Sequence, residues 1–205
     1  MRRVVTILAS AIGIAFLIGL GAFLYMKTEM HGFSARAEPS RTEAMLATYA
    51  RETAMPDSAK ARRNPIRFTP EVQHEAMAHF ADHCAVCHAN NGSGQTMFGQ
   101  GMYPKPPDLR MTRTQNLSDG EIFYIIENGI RMSGMPAFGG EATDTADDTW
   151  KLVLLIRHLP QLTASEEQQM DALNPKTPSE AEEDKEEEQF LNGGATNTKS
   201  SPMHK

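Results

Sequence analysis

From Val4 to Tyr25 the chain runs for 22 residues without a charged side chain. A helix of that length extends roughly 33 Å at about 1.5 Å per residue, enough to cross the hydrocarbon core of a bilayer. Inside lipid every backbone N–H and C=O must find its partner within the segment, so a lone stretch of this kind can only be helical. Residues 1–26 therefore read as a short cytoplasmic tip and a transmembrane anchor. A cleaved secretory signal competes with this reading, because Ala35-Arg36-Ala37 has the small-x-small form of a cleavage site. The apolar run is longer than the roughly 7 to 15 residues of a signal core, which favours an uncleaved span. Arg2 and Arg3 are held on the cytoplasmic side. The chain is thus expected to be a single-pass protein of the inner (cytoplasmic) membrane, its main domain on the periplasmic or outer face. Ala11, Ala15 and Gly19 recur at helical spacing in the span, a pattern common in apolar segments.

The remaining 179 residues divide by charge and texture. Residues 27–65 carry 7 Lys or Arg against 5 Asp or Glu and read as a polar linker with one short helix, opened by Ser40-Arg41-Thr42-Glu43 and closed by Pro56. Its expected role is that of a spacer. Residues 66–160 have 7 basic against 11 acidic side chains and hold the compact domain. Residues 161–205, with 4 against 10 and the run "EEDKEEE" from Glu182 to Glu188, read as a disordered acidic tail that aids solubility. An acidic domain with an acidic tail argues against nucleic acid as a partner. Met203-His204 could hold copper only weakly, being a lone pair of soft ligands.

Within the domain, Thr69-Pro70-Glu71 starts a helix that runs into the two cysteines. The Gly- and Pro-rich stretch from Asn90 to Arg110 is expected to be irregular. Ser118-Asp119-Gly120-Glu121 opens a second helix, which Gly129 ends, and "DDTWKLVLLIRHLP" forms a third, stopped by Pro160. No strand pattern appears, and the fold class is all-α.

Both cysteines of the chain lie in Cys84-Ala85-Val86-Cys87-His88. A structural zinc site needs two further thiolate or imidazole ligands, and no second Cys pair exists. A thioredoxin-like dithiol needs a βαβ setting that is missing. Covalent haem attachment uses two thiols three positions apart and the following histidine as an iron ligand. One helical turn sets Cys84 and Cys87 on one side with His88 beneath the ring. A sixth ligand is then sought at loop distance. Met97, Met102 and Met132 are loop methionines, but Met135 stands between Gly134, which frees the backbone, and Pro136, which fixes it.

The sequence from about Phe68 to Leu159 resembles the monohaem class I cytochromes c. The resemblance rests on Phe80 four residues before Cys84, the Cys84–His88 motif, Pro107-Asp108-Leu109, Ile126 and Asn128-Gly129 ahead of Met135-Pro136-Ala137-Phe138, and a last helix carrying Trp150 and Arg157. It implies the class I cytochrome c fold, three main helices with irregular loops around one haem c held by two thioethers from Cys84 and Cys87. His88 and Met135 would be the axial, metal-binding ligands. The carbonyl of Pro107 would accept the hydrogen bond that orients the proximal histidine, in a stretch crowded by Pro104 and Pro106. Where the family often has a glycine for a close helix crossing, this chain has Ala76, still small enough to keep it. Arg110, Arg113 and Arg131 are each suited to a haem propionate, and nothing selects among them. His74, His79, His83 and His158 read as surface or structural.

The expected function is therefore that of an electron carrier and not of an enzyme. It would pass single electrons through the haem between membrane-bound or periplasmic redox proteins of a respiratory or photosynthetic chain, alone or as a subunit of an integral membrane complex. The alternative is a haem-based redox or gas sensor in which Met135 is displaced.

Overall fold

The computed structural model describes residues 2–29, 34–140, 144–176 and 178–191, and these are helical or irregular throughout. Helix α1, Arg2–Glu29, takes in the whole apolar run and is long and apolar enough to cross a membrane. Its large side chains, from Val4 to Met26, are exposed, as a lipid-facing surface requires. Helix α2 is Arg41–Ala54; the Ser40 hydroxyl accepts from Glu43 N–H, and Pro56 follows its end. Helix α3 is the single turn Asp57–Lys60.

Helix α4, Pro70–His83, begins as expected, with Thr69 accepting from Val72 N–H and Pro70 at the first position. Helices α5 (Ala85–His88), α6 (Met97–Gln100) and α7 (Thr112–Gln115) are single turns among the loops. Helix α8, Asp119–Asn128, has a reciprocal capping box of Ser118 and Glu121 and ends at Gly129, whose φ of 64° suits glycine. Helix α9, Asp144–His158, passes into a 3₁₀ turn, Leu159–Gln161, at Pro160. Helices α10 (Ala164–Leu173) and α11 (Pro178–Leu191) follow.

The core lies where α4 crosses α9, with α8 against α9 and α10 against α4. Phe80, Met77, Val153, Leu155, Leu159 and Met170 are its most deeply buried large side chains. Each contributes roughly 1.5–3 kcal/mol by leaving water. Ala76 is fully buried at the centre, so the small residue does serve the close approach of helices. Phe123 stacks on Trp150 with ring centroids 4.1 Å apart. Arg157 ties α9 to the start of α8: its Nε donates to Asp119 Oδ1 at 2.9 Å, and its terminal nitrogens donate to the Gln115 and Leu117 carbonyls.

The structure departs from the expected layout at three places. The linker is not a free spacer, because residues 55–64 rest on the domain. Met55 and Ala59 are buried, and Ser118 Oγ donates to the Lys60 carbonyl at 2.8 Å. The Arg62 guanidinium lies 4.1 Å from the Phe123 ring centre, and Asn64 Nδ2 donates to the Trp150 carbonyl at 2.8 Å. Gly120 makes the approach possible, since a Cβ there would stand 2.1 Å from the Ala59 carbonyl oxygen. The second departure lies beyond Gln161. Thr163 and Glu166 form another capping box, and α10 seats a fully buried Met170 in the core. One apolar residue among polar ones suffices because α10 turns a single face to α4. The third is α6, one helical turn inside the irregular stretch, capped by the Thr96 hydroxyl. The described side chains of α11 are exposed. Met203-His204 lies outside the described residues.

Candidate functional site

Helix α4 delivers the cysteine pair. Phe80, 1% exposed, fixes its last turn in the core, and Cys84 N–H donates to the Phe80 carbonyl at 2.8 Å. The chain then makes one further turn. Cys87 and His88 N–H groups both donate to the Cys84 carbonyl, at 3.1 and 2.9 Å, so the two thiols and the imidazole share a single helical turn. Ala89, with φ 59°, redirects the backbone after it.

The loop that follows is tied to this turn by its backbone. Gly94 N–H donates to the His88 carbonyl at 2.8 Å and the Thr96 hydroxyl to the Cys87 carbonyl at 3.3 Å. Gly99 lets α6 come closer than any side chain would permit, since a Cβ there would lie 2.5 Å from Cys87 O. A Cβ on Gly94, whose φ is 71°, would lie 2.8 Å from Pro106 O. Leu109 N–H donates to Gly92 O at 2.8 Å, and Gln115 Nε2 donates to the Leu109 and Ile156 carbonyls. The Pro106–Leu109 strip is thereby set beside His88.

Electrostatics follow from this burial. Burial lowers the basicity of His88, and the Pro107 carbonyl acts on the ring in the opposite sense. Nδ1 of His88 is buried without a hydrogen bond of full geometry, so the Pro107 carbonyl faces the ring but stops short of one. Burial, with Cys87 close by, pushes the Cys84 thiol up to about 12. Redox-active dithiols depend on a lowered thiol pKa, so Cys84 is not built as a nucleophile. Among the described residues, no three His, Cys, Asp or Glu side chains come together to hold a metal, which leaves the thiols without the partners zinc needs.

Met135 sits on a loop closed on itself. Its carbonyl accepts from Ile130 N–H at 3.2 Å, and its N–H donates to Ser133 Oγ, which in turn donates to Ile130 O at 2.7 Å. Gly129 packs against Pro136, where a Cβ would stand 2.6 Å from the carbonyl carbon. Phe138 and Gly139 N–H groups donate to Ile126 and Glu127 carbonyls, which pins the loop to the end of α8. Met135 is partly buried and packs, like Cys84, against the central core. Met132, in contrast, is 91% exposed with φ 60°, and Met97 is 85% exposed. Met102 lies against Gly134, its Sδ 3.0 Å from where a Cβ would stand.

Several of the other residues singled out from sequence have definite partners. Arg110 donates twice to Asp108, at 2.9 and 2.7 Å, and holds that carboxyl below its usual range. Arg113 donates to Thr48 of α2 at 2.9 Å, and Arg131 is exposed. The His79 and His83 rings meet at a tilt with centroids 4.8 Å apart, and His158 meets Glu166 at 3.0 Å. Ser133, Gly94 and Gly99 position the site and were not singled out; glycines in a loop next to the cysteine motif were the available signal.

Two thiols on one turn, a partly buried imidazole with a carbonyl facing it, and a fixed thioether loop on the same core fit a covalently held haem. No curated protein matches the chain. Residues 72–156 match the family described as cytochrome c oxidase, cbb3-type, subunit III.

Proposed function

We propose that residues 72–156 are a c-type cytochrome domain of the class I kind and that the protein, anchored by its N-terminal apolar helix, is a tethered electron carrier of a membrane respiratory oxidase; the family match and the long apolar helix support this reading. The observation that carries the reading is the His88 ring, its Nδ1 buried, set on the same turn as both thiols and facing the Pro107 carbonyl. Cys84 and Cys87 would hold one haem c through thioethers, and His88 and Met135 would bind its iron. When bound, the haem supplies a one-electron ferric/ferrous couple. The Pro107 carbonyl orients the imidazole and raises its donor strength, while the thioether of Met135 favours the ferrous form.

With His88 and Met135 both serving as ligands, the site would leave no open position for oxygen or peroxide, and the chain's part would be to hold the group and not to make or break bonds. Ser133 and Gly129 keep the Met135 loop in one shape, so the ligand set changes little between oxidation states. The apolar anchor replaces free diffusion by a high local concentration near membrane-bound donors and acceptors. Arg2 and Arg3 set the N-terminus on the cytoplasmic side and the haem domain on the periplasmic face.

An optical redox titration of the detergent-solubilised protein tests this. The ferric methionine-to-iron charge-transfer band is expected, together with a positive midpoint. A spectrum without the band, shifting on addition of carbon monoxide, would overturn the ligand assignment.

A further inference from the structure

Helix α2 has two dissimilar sides. Ala44, Thr48 and Arg51 are partly buried and turn toward the haem domain, where Thr48 accepts from Arg113 and Glu43 accepts from the Tyr103 hydroxyl. Thr42, Met45, Leu46, Tyr49 and Thr53 recur at three- and four-residue intervals and so share the other side. That side has no charge, and its large members are 63%, 58% and 67% exposed. An apolar stripe of this size on a helix otherwise flanked by Arg41, Arg51 and Glu52 is the pattern of an interfacial helix.

Its place relative to α1 says what covers it. The hydroxyls of Tyr25 and Ser40 approach to 3.5 Å, so the start of α2 lies beside the last turns of the span. Tyr25 is at the level where an aromatic side chain meets the headgroups. The segment between is balanced, with Lys27 and Arg36 against Glu29 and Glu38, but residues 27–65 together carry two more basic than acidic side chains, Arg41 at the start of α2 among them, while the regions after residue 65 are acidic. Anionic phospholipid attracts the former and repels the latter.

We propose that α2 lies on the membrane surface at the end of α1, with Met45, Leu46 and Tyr49 in the headgroup–acyl boundary and its opposite side against the haem domain. The helix then sets the height and tilt of that domain above the bilayer. The occupant is lipid, not a second protein.

The test uses the full chain in a phosphatidylcholine/phosphatidylglycerol bilayer. Single cysteines replace Met45, Tyr49 or Ala47 (M45C, Y49C, A47C) and carry a nitroxide label, with I14C inside the span as the lipid standard. The wild-type chain, taken through the same labelling, gives the background from Cys84 and Cys87. Collision with dissolved oxygen, which concentrates in lipid, is compared with collision with a water-soluble nickel chelate. The oxygen-to-nickel ratio at 45 and 49 is expected to be several-fold above that at 47, and to approach that at 14. Equal ratios at 45, 47 and 49 would mean that the face is in water and would overturn the proposal. Exclusion of both reagents from 45 and 49 would mean a protein occupant and would overturn it as well.

Discussion

Replacing Gly120 by alanine is expected to destabilise the haem domain by ~2 kcal/mol, although alanine is the better helix former. The new Cβ would stand 2.1 Å from Ala59 O, 2.9 Å from Arg62 O and 3.1 Å from Arg62 Cβ. The two closest are backbone atoms and no rotamer change relieves them, so residues 59–62 must move off α8. That movement forfeits the Ser118–Lys60 hydrogen bond, about 1 kcal/mol, and the Arg62 contact with Phe123 and Trp150, about 1 kcal/mol. Re-exposing Ala59 and its surroundings adds about 1 kcal/mol. Against this stands a gain of ~1 kcal/mol from helix propensity. Guanidinium unfolding of the detergent-solubilised protein, followed by the near-ultraviolet dichroism of Trp150, reads the difference; the thermal midpoint should fall by roughly 5–10 °C. Gly101→Ala is the control, because its Cβ would meet only ordinary contacts at 3.5 Å. A Gly120→Ala protein as stable as wild type, or more stable by the propensity gain alone, would refute the docking of residues 55–64 on α8.

Met135→Ala should abolish the ferric charge-transfer band and lower the midpoint potential, whereas Met132→Ala should leave both unchanged, a comparison read from spectra of the purified variants. Glu166 provides an acid-labile contribution. Burial would raise its pKa, but hydrogen bonds from the Thr163 N–H and hydroxyl, His158 and Gln73 bring it down to about 2. With the folded pKa depressed, the stabilisation is complete above the ordinary carboxylate range and disappears as pH falls from about 4.5 toward 2. The side chain is 19% exposed, which limits the effect to ~1–2 kcal/mol; Glu166→Gln should lose that much at pH 7 and show a flatter acid limb in pH-dependent unfolding. Arg157→Lys should cost about 2 kcal/mol in denaturant unfolding, because an ammonium cannot serve Asp119 and the Gln115 and Leu117 carbonyls together.

What was legible in the sequence was local. Thr69 with Pro70, Ser118 with Glu121, and Gly129 mark helix ends through bonds within four residues, and the structure has those ends. The turn of Cys84 to His88 is equally local. Contacts across long separations left no such mark. Gly120 looks like an ordinary member of a capping box until residues 59–62 are laid against it. Thr163 and Glu166 had the same box form as Ser118 and Glu121, but with Met170 among polar neighbours the segment read as solvated. Ser133 bonds to the nearby Ile130 and Met135, yet its value depends on a loop closure that composition does not announce.

The way residues 34–64 attach also decides how the domain responds to a pull from its tether. The outer contacts, Lys105 with Glu38 and Arg113 with Thr48, are exposed and weak, each worth well under about 1 kcal/mol. The inner ones bury Met55 and Ala59 and grip α8 and the Trp150 carbonyl. Under load the outer contacts let go first and lengthen the slack of the tether. The remaining force then enters at the start of α8 and at Trp150 of α9, at the end of α8 opposite to the Ile126 and Glu127 carbonyls that hold the Met135 loop.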